Sequence, residues 1–375
     1  MPGPPLSLIH IYGVYYNTSV YMSMAQKMDQ QSPLSKSLSV SNSSIDPLTL
    51  ANGFVASPNV TTDNFAVDPN FRVGYSQNWY VSVQQNVSAA NLVTVQYSGV
   101  KGTRAAQEFQ PNTYPVGAVN PCPSCLPGYT YLTSNGNSTR EAGSVTFRRR
   151  FHGGLQSTFT YTYSKSIDDS GGLGTSSAPI AQNWLNLAGE RGLSSFDQRH
   201  LFNAQFQYTT GVGVRGGGLL SGWRGLIIKG WTFTSNITAG SGLPFSPTYF
   251  LPSPVTGTSG TLRPEYVGGD VYGGAAGRYL NAAAFAAPPL GQWGDAGRDS
   301  ITGPNQFSMN ASMARSFADN ITVTFNSNNV LNHPTFPGWN NQFNPTLSNG
   351  GQFGILNSPA AGSMRTVVAT LRWTF

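Results

Sequence analysis

Four groups of side chains have the types and spacing to do chemistry. Both cysteines, Cys122 and Cys125, lie in residues 121–128 (PCPSCLPG). A CxxC pair supplies half of a tetrahedral zinc site, a redox dithiol or a short disulfide. No second CxxC or His pair follows, and a proline-flanked loop in an oxidising compartment favours the disulfide over free thiols or metal chemistry. The histidines His10, His152, His200 and His333 stand in separate segments with no partner at metal or triad spacing, and no Gly-x-Ser-x-Gly elbow offers a nucleophile. Residues 211–216 (GVGVRG) satisfy GxGxxG, but dinucleotide binding needs a helix directly after the motif and an acid about 20 residues on. Gly217, Gly218 and Trp223 are expected to break such a helix, and no Asp or Glu falls between Asp197 and Glu265. This run reads as a flexible turn; no cofactor, bound metal or enzymatic activity is expected.

The fourth group is Asp168, Asp169, Asp197, Arg199 and His200, which flank one long connection and can converge at its base. Two readings stand: a structural cluster of hydrogen bonds and ion pairs at a rim, or a contact site for a ligand, with the structural reading favoured. The elements that must position these residues alternate with a period of two. Phe159, Tyr161 and Tyr163 face away from Thr158, Thr160 and Thr162; Phe202, Ala204, Phe206 and Tyr208 oppose Asn203, Gln205 and Gln207; Ile321, Val323 and Phe325 oppose Thr322, Thr324 and Asn326. The chain ends in the same way, with Val367, Ala369, Leu371, Trp373 and Phe375 opposite Thr366, Thr370, Arg372 and Thr374. Strict alternation marks a strand whose two faces meet different surroundings. About ten such strands are expected, over roughly 6–17, 73–86, 91–101, 139–151, 154–166, 198–210, 226–240, 305–316, 319–331 and 363–375.

Composition says what the two surroundings are. Only 10% of the 375 residues are charged, against roughly 25% in soluble proteins. Mean hydropathy is −0.21, and no stretch approaches the length of apolar residues a transmembrane helix needs. A greasy face opposite Thr, Ser, Asn and Gln, with charge spared on both, fits strands that place one side in lipid and the other in a polar lumen. The connections alternate long and short, as they do in outer-membrane barrels with short periplasmic turns and long extracellular loops. The expected fold class is therefore all-β, an antiparallel transmembrane β-barrel segment of about ten strands in a meander. A large soluble β-protein is the alternative, but no fixed repeat supports it. Trp79, Trp231 and Trp373 read as girdle aromatics at the membrane interfaces. The net charge of +6 is scattered apart from Arg148, Arg149 and Arg150, which read as a basic turn or, alternatively, a phosphate or lipid-headgroup contact. Nucleic acid is not an expected partner.

The run from Glu190 to His200 (ERGLSSFDQRH) resembles a signature of Oar-like TonB-dependent outer-membrane receptors of acidobacterial type. Further blocks are similar in family order: YSGVKGT at 97–103, YTYSKSIDD at 161–169, GSGLPF at 240–245, NVLNHP at 329–334 and the terminal LRWTF. The resemblance implies a receptor with a carboxypeptidase-regulatory-like sandwich, a plug and a barrel of about 22 strands. Residues 1–375 match only the C-terminal part of that barrel, and the opening residues show no signal peptide, so a fragment of a longer receptor is expected. The implied activity is TonB-dependent import of a bulky solute, with outer-membrane lipid, the TonB complex acting through a plug, and a solute held in loops 102–138, 167–196, 241–303 and 332–361 as partners. Leu371, Trp373 and Phe375 are expected to carry the signal read by the barrel assembly machinery. A self-contained small barrel acting as a passive pore or adhesin is the alternative.

Overall fold

Alternating apolar and hydroxyl or amide side chains favour extended backbone, because neighbouring side chains of a strand leave on opposite faces. The computed structural model describes residues 6–31, 49, 51, 65–115, 117–125, 129–171, 180–213, 220–249, 262–289, 292–317 and 320–374. Ten such segments form one sheet: β1 (Leu6–Asn17), β2 (Gly74–Asn86), β3 (Asn91–Phe109), β4 (Thr130–His152), β5 (Leu155–Asp168), β6 (His200–Thr209), β7 (Thr232–Gly240), β8 (Gln306–Phe317), β9 (Ile321–Asn328) and β10 (Thr366–Trp373). Each pairs antiparallel with its neighbours in sequence, giving a meander whose edge strands, β1 and β10, do not pair with each other.

The register sorts side chains by chemistry. One rung across β5–β10 reads Leu155, Tyr208, Phe233, Met313, Phe325, Ala369. The next rung, on the opposite face, reads Gln156, Gln207, Thr234, Ser312, Asn326, Val368. A slip of one residue anywhere would exchange these faces. Among the described residues nothing covers the apolar face along the middle of the strands: Val95, Tyr161 and Leu371 are 51%, 44% and 71% exposed. Over this stretch the described residues give the sheet no dry core, which is the arrangement of strands solvated by hydrocarbon on one side and water on the other.

Tight connections gather at one end of the sheet. The β4–β5 hairpin turns on Gly153 and Gly154, with φ of +61° and +80°, the doubly left-handed pair that a two-residue turn between twisted strands requires. A Cβ on Gly154 would lie 2.6 Å from the Thr209 carbonyl oxygen, so the adjacent hairpin also demands glycine there. Turns of similar size join β2 to β3 and β8 to β9, whereas the connections at the other end are long.

Three sequence expectations need correction. The strand expected over 226–240 starts only at Thr232, and in front of it lies a short helix, α2 (Gly222–Ile228). The apolar run Leu226, Ile227, Ile228 mimics a buried strand, but Gly230, at φ +79°, turns the chain between helix and strand. Trp223 therefore sits inside a helix that it was expected to prevent, and the connection it belongs to is longer than its tight neighbours at this end. The second and third corrections concern β3 and β4, which run to Phe109 and from Thr130, well past the expected limits of 101 and 139. Alternation fades there because both faces are covered. A ten-residue helix, α1 (Val20–Asp29), packs Val20 and Met24 with Phe65, Ala106 and Leu132, and register shifts bracket Ala105.

The face assignment has a direct consequence. Phe159→Arg puts a charge on the apolar face and is expected to cost about 2–4 kcal/mol near mid-bilayer, while Thr160→Arg, one residue on, is expected to cost under about 1 kcal/mol. Urea titration of the protein refolded into lipid vesicles measures both, and equal losses would show the faces to be assigned wrongly.

Candidate functional site: the loop cap and the polar wall

On the concave face the strands present a wall of amides and hydroxyls. A trough of about 470 Å³ is lined by, among others, Gln156, Gln205, Asn236, Asn310 and Asn326. Hydroxyls and amides bond across the strands, as between Thr146 and Thr160 at 3.0 Å and from Thr238 to Asn203 at 3.1 Å. The wall offers donors and acceptors without a titratable group in this stretch, so it can wet or hold a neutral polar surface but cannot exchange a proton.

The long connections do not hang free beyond the sheet. Loops after β7 and β9 share an apolar core in which Leu280, Ile301 and Phe353 are fully buried, with Phe285 and Phe343 beside them. The ring centroids of Phe285 and Phe353 lie 5.3 Å apart, and Tyr279 stacks on Trp339 at 5.4 Å. Burying each such aromatic contributes on the order of 1.5–3 kcal/mol, enough for these loops to form a cap with a packing of its own.

Charged side chains fasten this cap to the loop after β5. Arg263 and Glu190 are both buried and form a bidentate pair, Nη1 to Oε2 at 2.9 Å and Nη2 to Oε1 at 3.0 Å. The remaining bonding capacity is used as well. Arg263 Nε donates to the Ala296 carbonyl at 2.8 Å, and Glu190 Oε1 accepts from the Gln182 backbone N–H at 3.1 Å. Arg298 is a second fastening. Its Nε donates to the Glu190 carbonyl at 2.6 Å, Nη1 to Asp299 Oδ2 at 3.1 Å, and Nη2 to the Asp168 carbonyl at 2.7 Å and to the Asp168 carboxylate. One guanidinium so ties the end of β5 to two loops.

The five residues singled out in the sequence are brought to one rim but into separate contacts. Asp168 joins the Arg298 fastening. Asp197 accepts from the Ser166 N–H at 2.6 Å and from Arg199 at 3.2 Å. Asp169 turns to the other side and accepts from the Asn137 N–H at 2.6 Å. His200 leaves the group: its Nδ1 is 2.8 Å from the Tyr161 hydroxyl and its ring packs on Tyr163. The residues that join the loops, Glu190, Arg263, Arg298 and Asp299, were not singled out as a site. Glu190 at least belongs to the ERGLSSFDQRH run, whereas Arg263 and Arg298 lie among prolines and glycines with no local pattern.

Cys122 and Cys125 form a disulfide, with Cα atoms 5.3 Å apart. Buried Asn112 donates from Nδ2 to both cysteine carbonyls, at 3.1 and 3.2 Å. Phe375 lies outside the described residues; Leu371 and Trp373 stand exposed on edge strand β10. Among the described residues no three His, Cys, Asp or Glu side chains converge as a metal site. Burial pushes the Asp299 carboxyl above its ordinary value, against the opposing pull of Arg298 and Ser246, and it pushes Asp169 up against the Asn137 N–H.

The family described as an outer membrane beta barrel domain matches residues 12–367. Among solved structures, the outer membrane transporter YddB from Escherichia coli is similar with a TM-score of 0.55 at 10% identity, over 99% of this chain and 38% of that one. FpvA of P. aeruginosa in complex with a heterologous pyoverdine and iron gives 0.46 at 9% identity, over 98% and 31%. The ferric-catecholate import receptor Fiu from K12 E. coli gives 0.43 at 11%, over 99% and 33%. The chain spans about a third of the length of these structures, and at such identities the YddB likeness speaks for the fold alone. No curated protein sequence matches.

Removing one partner of a buried ion pair strands the other charge. Arg263→Met is expected to destabilise the cap by about 3–5 kcal/mol, seen as a lower midpoint for loss of near-UV ellipticity in detergent. Because Asp299 is held above its ordinary 3.8, the stability it contributes is full below that value and lost as pH rises through the raised one. Asp299→Asn is therefore expected to gain stability relative to the parent as pH rises above that ordinary value. A difference that stays flat with pH would show that this carboxyl does not titrate in that range.

Proposed function

Because the chain belongs to the family of outer membrane beta barrel domains and resides in the bacterial outer membrane, we propose that it forms the C-terminal barrel wall and loop cap of a TonB-dependent receptor that imports a bulky solute. The observation that carries this reading is the pairing of a two-faced meander with long loops packed into a cap at one end. A general pore needs an open mouth, whereas a cap with its own apolar core and buried ion pairs presents a shaped surface to one class of solute. In this reading the solute meets the long connections within 102–138 (110–129 between the extended β3 and β4), 167–196, 241–303 and 332–361, residues 1–375 are barrel alone, and a plug elsewhere in a longer polypeptide couples to the TonB complex. The unpaired edges of β1 and β10 favour continuation of the ladder by further strands over closure of ten strands on themselves. The Oar-like subtype rests on the ERGLSSFDQRH run and the blocks around it.

Clearance of solutes from growth medium tests the reading whichever solute is taken up. Mass spectrometry of spent medium is expected to find compounds that the parent strain removes and that neither a deletion of this gene nor a TonB-null strain removes. Compounds whose removal needs the gene but not TonB would establish the passive pore instead.

Edge strand β10 is the proposed site of contact with the barrel assembly machinery, through its open backbone ladder and the stripe of Leu371, Trp373 and Phe375. Deleting Phe375 from the native polypeptide is expected to lower its level in the outer membrane several-fold more than Tyr163→Ala, an aromatic change at the opposite rim. Quantitative blotting of membrane fractions decides it, and equal levels would reduce Phe375 to an interface aromatic.

A further inference from the structure

The end of the sheet that carries the tight turns also carries an unbalanced charge. Arg148, Arg149 and Arg150 lie beside the β4–β5 turn, Arg224 and Lys229 in and after α2, and Arg315 near the end of β8. Among the described residues no Asp or Glu lies at this end; the sequence places one acid, Asp319, between β8 and β9 there. At the other end Lys27, Arg199, Arg263 and Arg298 have internal carboxylate partners. None of these six is paired with a described carboxylate, so this end carries an excess of cations open to anions from outside the fold.

Helix α2 shows where those anions sit. The helix interrupts what would otherwise be a tight turn, and it leaves Trp223, Leu226 and Ile227 exposed by 68%, 75% and 59%. Its last carbonyls are held by the barrel rather than by water. Arg315 donates to the carbonyls of Ile227, at 2.6 Å, and Leu226, and Trp231 Nε1 donates to Ile227 at 2.9 Å. Arg315 shares the apolar face with Met313 and Phe317 by register, with its guanidinium 4.5 Å from the Phe317 ring centroid. The helix is thus fixed at the lower margin of the lipid-facing belt, with its apolar side chains continuing that belt and Arg224 and Lys229 beside them.

We propose that this rim binds anionic phospholipids of the periplasmic leaflet, with α2 lying in the interface, Trp223, Leu226 and Ile227 among the acyl chains, and Arg149, Arg224 and Lys229 on headgroup phosphates. Tight turns place this end on the periplasmic side, and that leaflet is the phosphate-bearing surface the apolar belt enters. Amphipathic helices with basic flanks bind such interfaces through buried apolar area together with attraction to acidic headgroups. The arrangement gives the barrel a fixed depth and a preference for acidic lipid at one rim.

The test uses the native polypeptide purified from outer membrane and reconstituted into nanodiscs of phosphatidylcholine in which about a fifth of the lipid is phosphatidylglycerol, to supply acidic headgroups. Brominated phosphatidylglycerol is expected to quench tryptophan emission more strongly than brominated phosphatidylcholine at equal content, and Trp223→Phe to remove much of the difference. Native mass spectrometry is expected to show retained phosphatidylglycerol, falling about tenfold in an Arg224→Gln, Lys229→Gln double variant that still shows the heat-modifiable migration of a folded barrel. Equal quenching by the two lipids, or unchanged retention in the folded variant, would overturn the proposal. Retention of an acidic periplasmic protein in place of lipid would overturn it too.

Discussion

Every backbone N–H and C=O that enters hydrocarbon must find its partner within the protein, because lipid offers none and each unsatisfied group costs several kcal/mol. From that constraint follow the long strands, their antiparallel meander and the assignment of each side chain to one of two solvents. Leu155 through Ala369 on one rung and Gln156 through Val368 on the next differ in chemistry because the ladder that satisfies the backbone also fixes which way each residue points. The same constraint makes β1 and β10 reactive: strands with an open ladder at membrane depth call for pairing partners.

Beyond the membrane the rule changes, and the chain changes with it. Water satisfies loose backbone, so the loops fold only where apolar burial and paired charge outweigh the entropy of ordering them. Leu280, Ile301 and Phe353 supply the burial, and Arg263 and Arg298 join loops distant in sequence. Buried ion pairs of this kind contribute less to net stability than to register, since a misdocked loop leaves a charge without its partner in a low dielectric. Such pairs suit a cap that must keep one shape over a lumen lined by uncharged groups.

Charge is segregated along the barrel axis. Acids and the cations that pair with them occupy the cap, and the turn end is basic with no described acid to offset it. The wall between carries Asn, Gln, Ser and Thr where it faces the trough. The molecule thus presents a compensated surface at one end, a neutral polar middle and a cationic margin at the other.

The period-two pattern was readable because it is local: each residue of a membrane strand meets lipid or lumen, and that choice is written in the residue itself. The faces of β5–β10 follow this rule, and β1 spans 6–17 as expected although its alternation is the least regular of the ten. Where a second layer covers both faces, the rule weakens, so β3 and β4 continue past their expected limits. Helix α2 was misread because three consecutive apolar residues look alike in a strand and in an exposed helix; the Arg315 contact that helps hold it comes from 88 residues further along the chain. Asp168, Asp197 and Arg199 were visible as a group because they flank one connection. The partners Arg263 and Arg298 were not, because Arg263 lies 73 residues from Glu190 and Arg298 lies 130 from Asp168. The sequence by itself determined strand, face and membrane; the cap, its fastenings and the seat of α2 arise from contacts between distant segments, which no local period encodes and only the folded chain brings together.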